Sequence, residues 1–265
     1  MTNLAADLTA LAQALLPTLH VERIERLARG LSNDNFLLQT NQGKLLLKCY
    51  KGEVPVPLLN IQNALADMGI TQSVRAYDCD KRIALFEFIE EVAPFTALDV
   101  SLIQCLVTLH EYQGLDNTVP VDIISFVKKL TLKELECAEH HMLQAVKLIE
   151  SLPRDLAFCH NDLVFDNLLN ADHGPRLIDF EYAQYNDVYF DLAALSCSFN
   201  LDTQAQNALL KTYYAHRHLT LPDYAIGKLL AYQIVYLLLS IEWYQSRGAH
   251  SYARPLIARL HSLVD

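Results

Sequence analysis

The apolar residues of this chain change their period once, close to Pro94. Before it, short runs bounded by turn residues have the length and composition of strands. Three lie within "VERIERLARGLSNDNFLLQTNQGKLLLKCY", and two more flank a polar turn in "VRAYDCDKRIALFEFIE". After it, apolar residues recur every three to four positions, as in "LDVSLIQCLVTLHEYQ", "IISFVKKLTLKELECAEHHMLQAVKLIESL", "QAQNALLKTYYAHR" and "YAIGKLLAYQIVYLLLSIEWYQSR". That is the spacing of helices with one buried face. Strands followed by helices make an α+β chain. The boundary falls at "FEFIEEVAP", which predicts a strand-rich lobe over residues 1–89 and a helical one over 90–265.

Local signals fill in each part. Residues 4 to 16 carry helical spacing and Pro17 closes them. "NQG" between "FLLQT" and "KLLLKCY" suits a hairpin turn, and "GLSND" reads as a tight loop between the first two strands. "LLNIQNALADMG" predicts a helix ended by Gly69. Two strand-like pieces, "NLLNA" and "PRLIDFEYA", interrupt the helical part. No internal repeat and no Gly/Ser linker separates the two parts.

The bulk numbers narrow the partners. About half of the 265 residues are apolar and 20% are charged, so the chain can bury a core. A net charge of -10 excludes the basic stripe that a nucleic acid needs, and it tolerates a cationic substrate in a soluble cytoplasmic protein. The six cysteines, Cys49, Cys79, Cys105, Cys137, Cys159 and Cys197, form no CxxC pair, which argues against a zinc site or a disulfide framework. The opening "MTNLAADLTALAQALLPTLH" lacks a basic start and a cleavage site, so it reads as an amphipathic helix rather than a secretory signal. The apolar run "KLLAYQIVYLLLSIEWY" is interrupted by Gln233, Ser240 and Glu242 and reads as a soluble core helix, not a membrane span. Oligomeric state is not written in these features.

The chemistry concentrates between His160 and Leu195. Seven acids, Asp162, Asp166, Asp172, Asp179, Glu181, Asp187 and Asp191, face a single Arg176 and no lysine. Carboxylates gathered this closely repel one another unless a cation sits among them. Magnesium favours carboxylate and amide oxygens and bridges to phosphates. Asp162 and Asn167 lie in a loop leading into "NLL", and Asp179 ends the strand-like "RLIDF". Taken singly, each is the kind of residue that caps helices and turns. Their joint order is that of the catalytic and metal loops in the kinase fold.

"CHNDLVFDNLL" followed by "LIDFEYAQYNDVYFDLAAL" resembles the aminoglycoside phosphotransferase and choline kinase superfamily, nearest its choline/ethanolamine kinases and bacterial thiamine kinases. The resemblance extends to "GLSNDNFLLQT", like that family's nucleotide-phosphate loop, to "LLLKCY", like its lysine strand, and to "LFEFIEE", like its adenine hinge. "IEWYQSRG" is similar to an acceptor-side helix of the thiamine kinases. It implies a bilobal protein-kinase-like fold. The smaller lobe would carry an antiparallel sheet and one helix, and the larger would be mostly helical.

It also implies an ATP- and Mg2+-dependent kinase that phosphorylates an alcohol on a small cation such as choline, ethanolamine or thiamine. An aminoglycoside or another small molecule is the alternative acceptor. Asp162 would be the catalytic base, with His160 orienting its loop. Asn167 and Asp179 would hold magnesium, and Lys48 would hold the α/β phosphates. Ser32, Asn33 and Asn35 would cover the phosphates, and Glu87, Phe88 and Ile89 would meet adenine. The acceptor would lie among Glu181, Tyr182, Asp187, Asp191, Glu242 and Trp243.

One departure stands out. Family members carry a helix glutamate that pairs with the lysine, yet "VPLLNIQNALADMGI" has none. Either another acid, such as Glu53, reaches Lys48, or the lysine is held differently; a nucleotide-binding pseudokinase is the reading this departure motivates. Tyr232, Tyr236 and Trp243 share one helical face and suit either a core stripe or an acceptor pocket. His110 reads as a packed helix residue.

Overall fold

The computed structural model describes residues 2–27, 32–114, 119–130 and 136–264. It divides into two compact units, residues 1–95 with 168–181, and residues 96–167 with 182–265. The expected boundary at residue 89 moves to Phe95, and a short excursion, Leu168–Glu181, returns to the first unit. Two backbone hydrogen bonds seat that excursion: Leu177 N–H donates to the Ile70 carbonyl, and Val92 N–H to that of Asn170.

The first unit is built on a five-stranded antiparallel sheet in the order β1-β2-β3-β5-β4. Its strands are β1 (Val21–Arg26), β2 (Asp34–Thr40), β3 (Gly43–Cys49), β4 (Val74–Asp78) and β5 (Ile83–Glu87). Gly43, at φ +96°, turns the β2–β3 hairpin in a left-handed conformation that an L side chain rarely adopts. Gly30 and Leu31 of the "GLSND" loop lie outside the described residues.

Side chains alternate across β3, so each face of the sheet has its own cover. Leu45 and Leu47 join Phe36, Leu38, Ile83 and Leu85 against Leu8 and Ala12 of α1 (Thr2–Leu15). Leu46 joins Phe86 and Ala84 against Leu59 of α2 (Val56–Asp67). By the same alternation Lys48 belongs to the α2 face. Gly69, at φ +76°, ends α2 as expected, with Ile70 N–H reaching back to the Leu65 carbonyl. The excursion adds the hairpin β7 (Leu168–Ala171) and β8 (Gly174–Leu177).

The second unit is mostly helical. Its helices are α3 (Val100–His110), α4 (Ile123–Val127), α5 (Glu136–Ser151), α6 (Tyr189–Ser198), α7 (Thr203–His216), α8 (Ala225–Ser246) and α9 (His250–Val264). Asp99, Asp122 and Asp202 accept backbone N–H groups at the starts of α3, α4 and α7, which satisfies donors that a helix N-terminus leaves orphaned. α8 is the central member and packs on α5, α6 and α9. That explains its apolar run: the helix is long and apolar enough to cross a membrane, but it is largely enclosed within this unit. α6 is buried from Tyr189 to Ser196. It has no polar face, and so it lacks the period that marks surface helices. One short ladder completes the unit, β6 (Leu156–Cys159) with β9 (Gln184–Asp187).

Candidate active site

The stretch His160–Asn167 leaves β6 and closes with a single 3-10 turn, Phe165–Asn167. Its backbone hangs on one buried carboxylate. Asp191 of α6 accepts the N–H of His160 at 2.7 Å through Oδ2 and that of Asn161 at 2.8 Å through Oδ1. Two consecutive amides can aim at one carboxylate because Asn161 adopts φ +63°, and asparagine is among the residues that tolerate this best. Its side chain is held in turn. Nδ2 donates to the carbonyls of Tyr182 and Gln184, and Oδ1 accepts from Asn186 Nδ2 at 2.8 Å.

Asp191 is itself tied to α3 and α7. His110 Nε2 lies 3.1 Å from Asp191 Oδ2, and its Nδ1 lies 2.6 Å from the Tyr213 hydroxyl. Burial pushes the Tyr213 phenol well up, so it is an O–H donor. His110 thus bridges the Tyr213 hydroxyl and the Asp191 carboxylate through its two ring nitrogens. Arg217 donates to the Tyr213 oxygen and grips Asp155 with both terminal nitrogens, at 2.6 and 3.1 Å. His110, Cys159 and Asp191 bring ligand atoms within 4.8 Å of one another. Both histidine nitrogens already have partners, and burial keeps Cys159 a thiol, with Asp191 and Asp187 adding to the effect. The trio is a hydrogen-bonded core rather than a metal centre.

At the end of the loop, Asn167 is nearly enclosed. Its Nδ2 donates to the Asp162 carbonyl at 2.8 Å and to Asp162 Oδ2 at 3.0 Å. This fixes the amide so that Oδ1, a hard oxygen, is its remaining donor atom. His160 is fully buried.

In the first unit, Asp179 follows β8 at φ +66°, another left-handed position held by a short polar residue. Its Oδ1 meets Lys48 Nζ at 2.5 Å, and Glu181 Oε2 lies 3.6 Å from the same nitrogen. Burial by itself lowers the pKa of the Lys48 ammonium. The charges of Asp179 and Glu181 more than offset this, and the pKa lies above the usual lysine value. Lys48 therefore pairs with Asp179 and Glu181 and not with Glu53, which is exposed.

Two of the remaining phosphate-loop candidates are tied to this lysine, directly or through Glu181. Asn35 is its register partner across β2 and β3. Asn33 donates to Glu181 and accepts the Lys51 N–H, while Ser32 is half-buried just before β2. At the hinge, Phe88 N–H is committed to the Lys44 carbonyl, Glu87 is exposed and accepts from Ser73, and Ile89 is half-buried.

The candidate acceptor residues separate into three groups. Asp187 and Asp191 are 0% exposed and face inward. Asp191 holds the loop, and Asp187 meets Lys228 Nζ at 2.7 Å, so neither fronts an acceptor. Burial raises the Asp187 pKa, and Lys228 counteracts it. Glu181 stands at Lys48. Tyr182, Glu242 and Trp243 remain outward, with Trp243 Nε1 donating to the Tyr182 hydroxyl at 3.1 Å. Arg247 covers one Trp243 face, its guanidinium 4.1 Å from the ring centroid. The aromatic stripe divides likewise. Tyr232 and Tyr236 are core residues against Tyr189 and Phe190.

Sequence reasoning missed Tyr244, which stacks on exposed Tyr252 with centroids 5.4 Å apart. Its hydroxyl is pushed up to about 12, first by burial and then by the charges of Asp162 and Asp166. That hydroxyl therefore lies within electrostatic reach of Asp162 and Asp166. Its place one residue after Trp243 on α8 was the available signal.

The family model described as phosphotransferase enzyme family matches residues 23–230. The chain belongs to this family. Protein LicA of Haemophilus influenzae is 27% identical to this family member over 206 residues, 69% of this chain and 60% of LicA. The chain thus spans less than two thirds of that curated relative's length. The crystal structure of choline kinase LicA from Streptococcus pneumoniae superposes with a TM-score of 0.77 at 20% identity, covering 98% of this chain and 99% of that one. A structure of LicA in complex with AMP gives 0.68 at 20% identity, covering 97% and 98%. The likeness establishes the fold as protein-kinase-like, with an antiparallel-sheet N-terminal lobe and a helical C-terminal one.

Proposed function

We propose that this chain is an ATP- and Mg2+-dependent phosphotransferase that moves the γ-phosphate to the alcohol of a small cationic acceptor of the choline, ethanolamine or thiamine kind. The observation that carries the proposal is the Asn167–Asp162 pair: one amide holds a carboxylate in place through its nitrogen, leaving its oxygen as the remaining donor atom. Asp162 takes the proton of the acceptor hydroxyl as that oxygen bonds to the γ-phosphorus. The bond from the γ-phosphorus to the bridging oxygen breaks, and ADP leaves.

Asn167 Oδ1 and the Asp179 carboxylate are hard oxygen donors that fit magnesium. They are the residues that would hold it. When bound, magnesium supplies positive charge to the phosphate oxygens. Lys48 adds a second cation there, and the solved LicA complex with AMP supports a nucleotide site on this fold.

The acceptor side favours a cation. Tyr244, Tyr252 and Tyr182 offer ring faces, and Asp162 and Asp166 add negative charge beside Tyr244. Each cation–π contact contributes about 0.5–2 kcal/mol. The Streptococcus pneumoniae protein of the same fold, the choline kinase LicA, points the same way. An ADP-release screen with choline, ethanolamine, thiamine, an aminoglycoside and a neutral sugar tests the proposal. Release with a cationic alcohol is expected. Release with the neutral sugar alone contradicts the cationic acceptor, and none with any acceptor contradicts the enzyme.

A further inference from the structure

We propose that Glu181 is the residue that positions Lys48 in this chain, in place of a helix glutamate, and that Asn33 holds Glu181 for the task. The inference rests on the nucleotide reading of Lys48 given above and concerns only the first unit.

The first support is elimination on the α2 face. α2 carries no glutamate, its one acid, Asp67, is exposed at the last position of the helix, and its amide side chains are occupied elsewhere or exposed. Gln62 Nε2 donates to the Gln72 carbonyl at 3.2 Å, and Asn63 Oδ1 accepts the Val74 N–H at 2.7 Å. Asn60 is exposed. A lysine that is only 7% exposed needs a counter-charge, because an unpaired buried ammonium is strongly unfavourable. Nothing on α2 supplies one.

The second support is the geometry of Glu181. Its Oε2 accepts Asn33 Nδ2 at 2.7 Å and lies 3.6 Å from Lys48 Nζ. Asn33 is fixed at its other end by the Lys51 N–H, which donates to Oδ1 at 3.2 Å. One oxygen thus joins the loop before β2 to the lysine of β3. The arrangement also solves a conflict. Asp179 pairs with Lys48 and is the proposed metal ligand. With Glu181 in place, Asp179 can turn to a cation without leaving Lys48 buried and unpaired.

The test is a double-mutant cycle between Glu181→Gln and Lys48→Met, read by calorimetric ADP binding in the presence of a chelator and by melting temperature. Lys48→Met is expected to weaken ADP binding. Glu181→Gln is expected to weaken it about tenfold in the native background and less than about twofold in the Lys48→Met background, the mark of two residues acting as one. Asn33→Ala should act in the same direction and be silent once Glu181 is replaced; it serves for the cycle if Glu181→Gln does not fold. Equal weakening in both backgrounds, or none in the native one, overturns the role of Glu181. If Lys48→Met itself leaves ADP binding unchanged, the nucleotide reading of Lys48 fails instead.

Discussion

Asn167 Nδ2 lies 3.0 Å from Asp162 Oδ2 and 2.8 Å from the carbonyl of the same residue. The proposed base is therefore held by the proposed metal ligand, and the two cannot be altered independently. Asp162→Ala is expected to lower turnover about 10²–10⁴-fold with nucleotide binding retained. Asn167→Ala should lower turnover and also raise the magnesium concentration needed for half-maximal rate. Steady-state kinetics over a magnesium series checks both. Near-native turnover in Asp162→Ala contradicts the base assignment.

Asp191 anchors the same loop from below. Replacing it with alanine leaves the buried amides of His160 and Asn161 without their acceptor, at about 1–3 kcal/mol each. Asp191→Ala should lose stability in urea denaturation, and those two amides should exchange with deuterium much faster. His110→Ala should follow in the same direction with a smaller effect. Unchanged exchange at His160 and Asn161 contradicts the anchoring role.

Lys228 and Asp187 form an ion pair with both side chains 1% exposed. Lys228→Met removes the cation and leaves a buried carboxylate, a change expected to destabilise by about 3–5 kcal/mol, whereas a double replacement by apolar residues should be far milder. The sign with pH follows from burial, which already raises the Asp187 pKa and acts unopposed once Lys228 is gone. The folded variant then binds a proton more readily than the unfolded chain. Its stability is present below the unfolded carboxyl pKa of about 3.9 and is lost as pH rises through the folded value. Denaturation curves of the variant and the native chain across this range should converge on the acid side. A constant gap contradicts the pairing.

Replacing Tyr244 tests the proposed cationic acceptor. Tyr244→Leu should raise the acceptor KM about 3- to 30-fold for a quaternary amine, the equivalent of one cation–π contact, with little change in the KM for ATP. Tyr244→Phe should be nearly silent, since the ring face is retained. An unchanged acceptor KM in Tyr244→Leu removes this residue from the acceptor side.

Much of the fold was legible because the strands and helices carry different periods. The β2–β3 hairpin and the Gly69 cap of α2 follow from local chemistry alone. α6 escaped detection because it is enclosed on every side and so shows no period. α9 escaped too, with Pro255 inside it. Asp162, Asn167 and Asp179 stand out by their order and spacing, and Lys48 by the resemblance of its strand. The partners of those residues do not. A surplus of acids looks the same whether they face solvent, a substrate or a buried lysine. Only Lys228, on a distant helix, reveals Asp187 as half of an internal pair. Glu181 reads as an acceptor acid until the β7–β8 excursion carries it back to the first unit and to Lys48. With that contact the missing helix glutamate ceases to favour a pseudokinase.

The most direct measurement is 31P NMR of the protein with ATP and a saturating cationic alcohol, recorded with Mg2+ and again with excess chelator. The predicted result is a phosphomonoester resonance of the acceptor growing with that of ADP in the presence of Mg2+ only, and absent in Asp162→Ala. A phosphomonoester formed in the chelated sample, or ATP converted only to inorganic phosphate, would contradict phosphoryl transfer by this site.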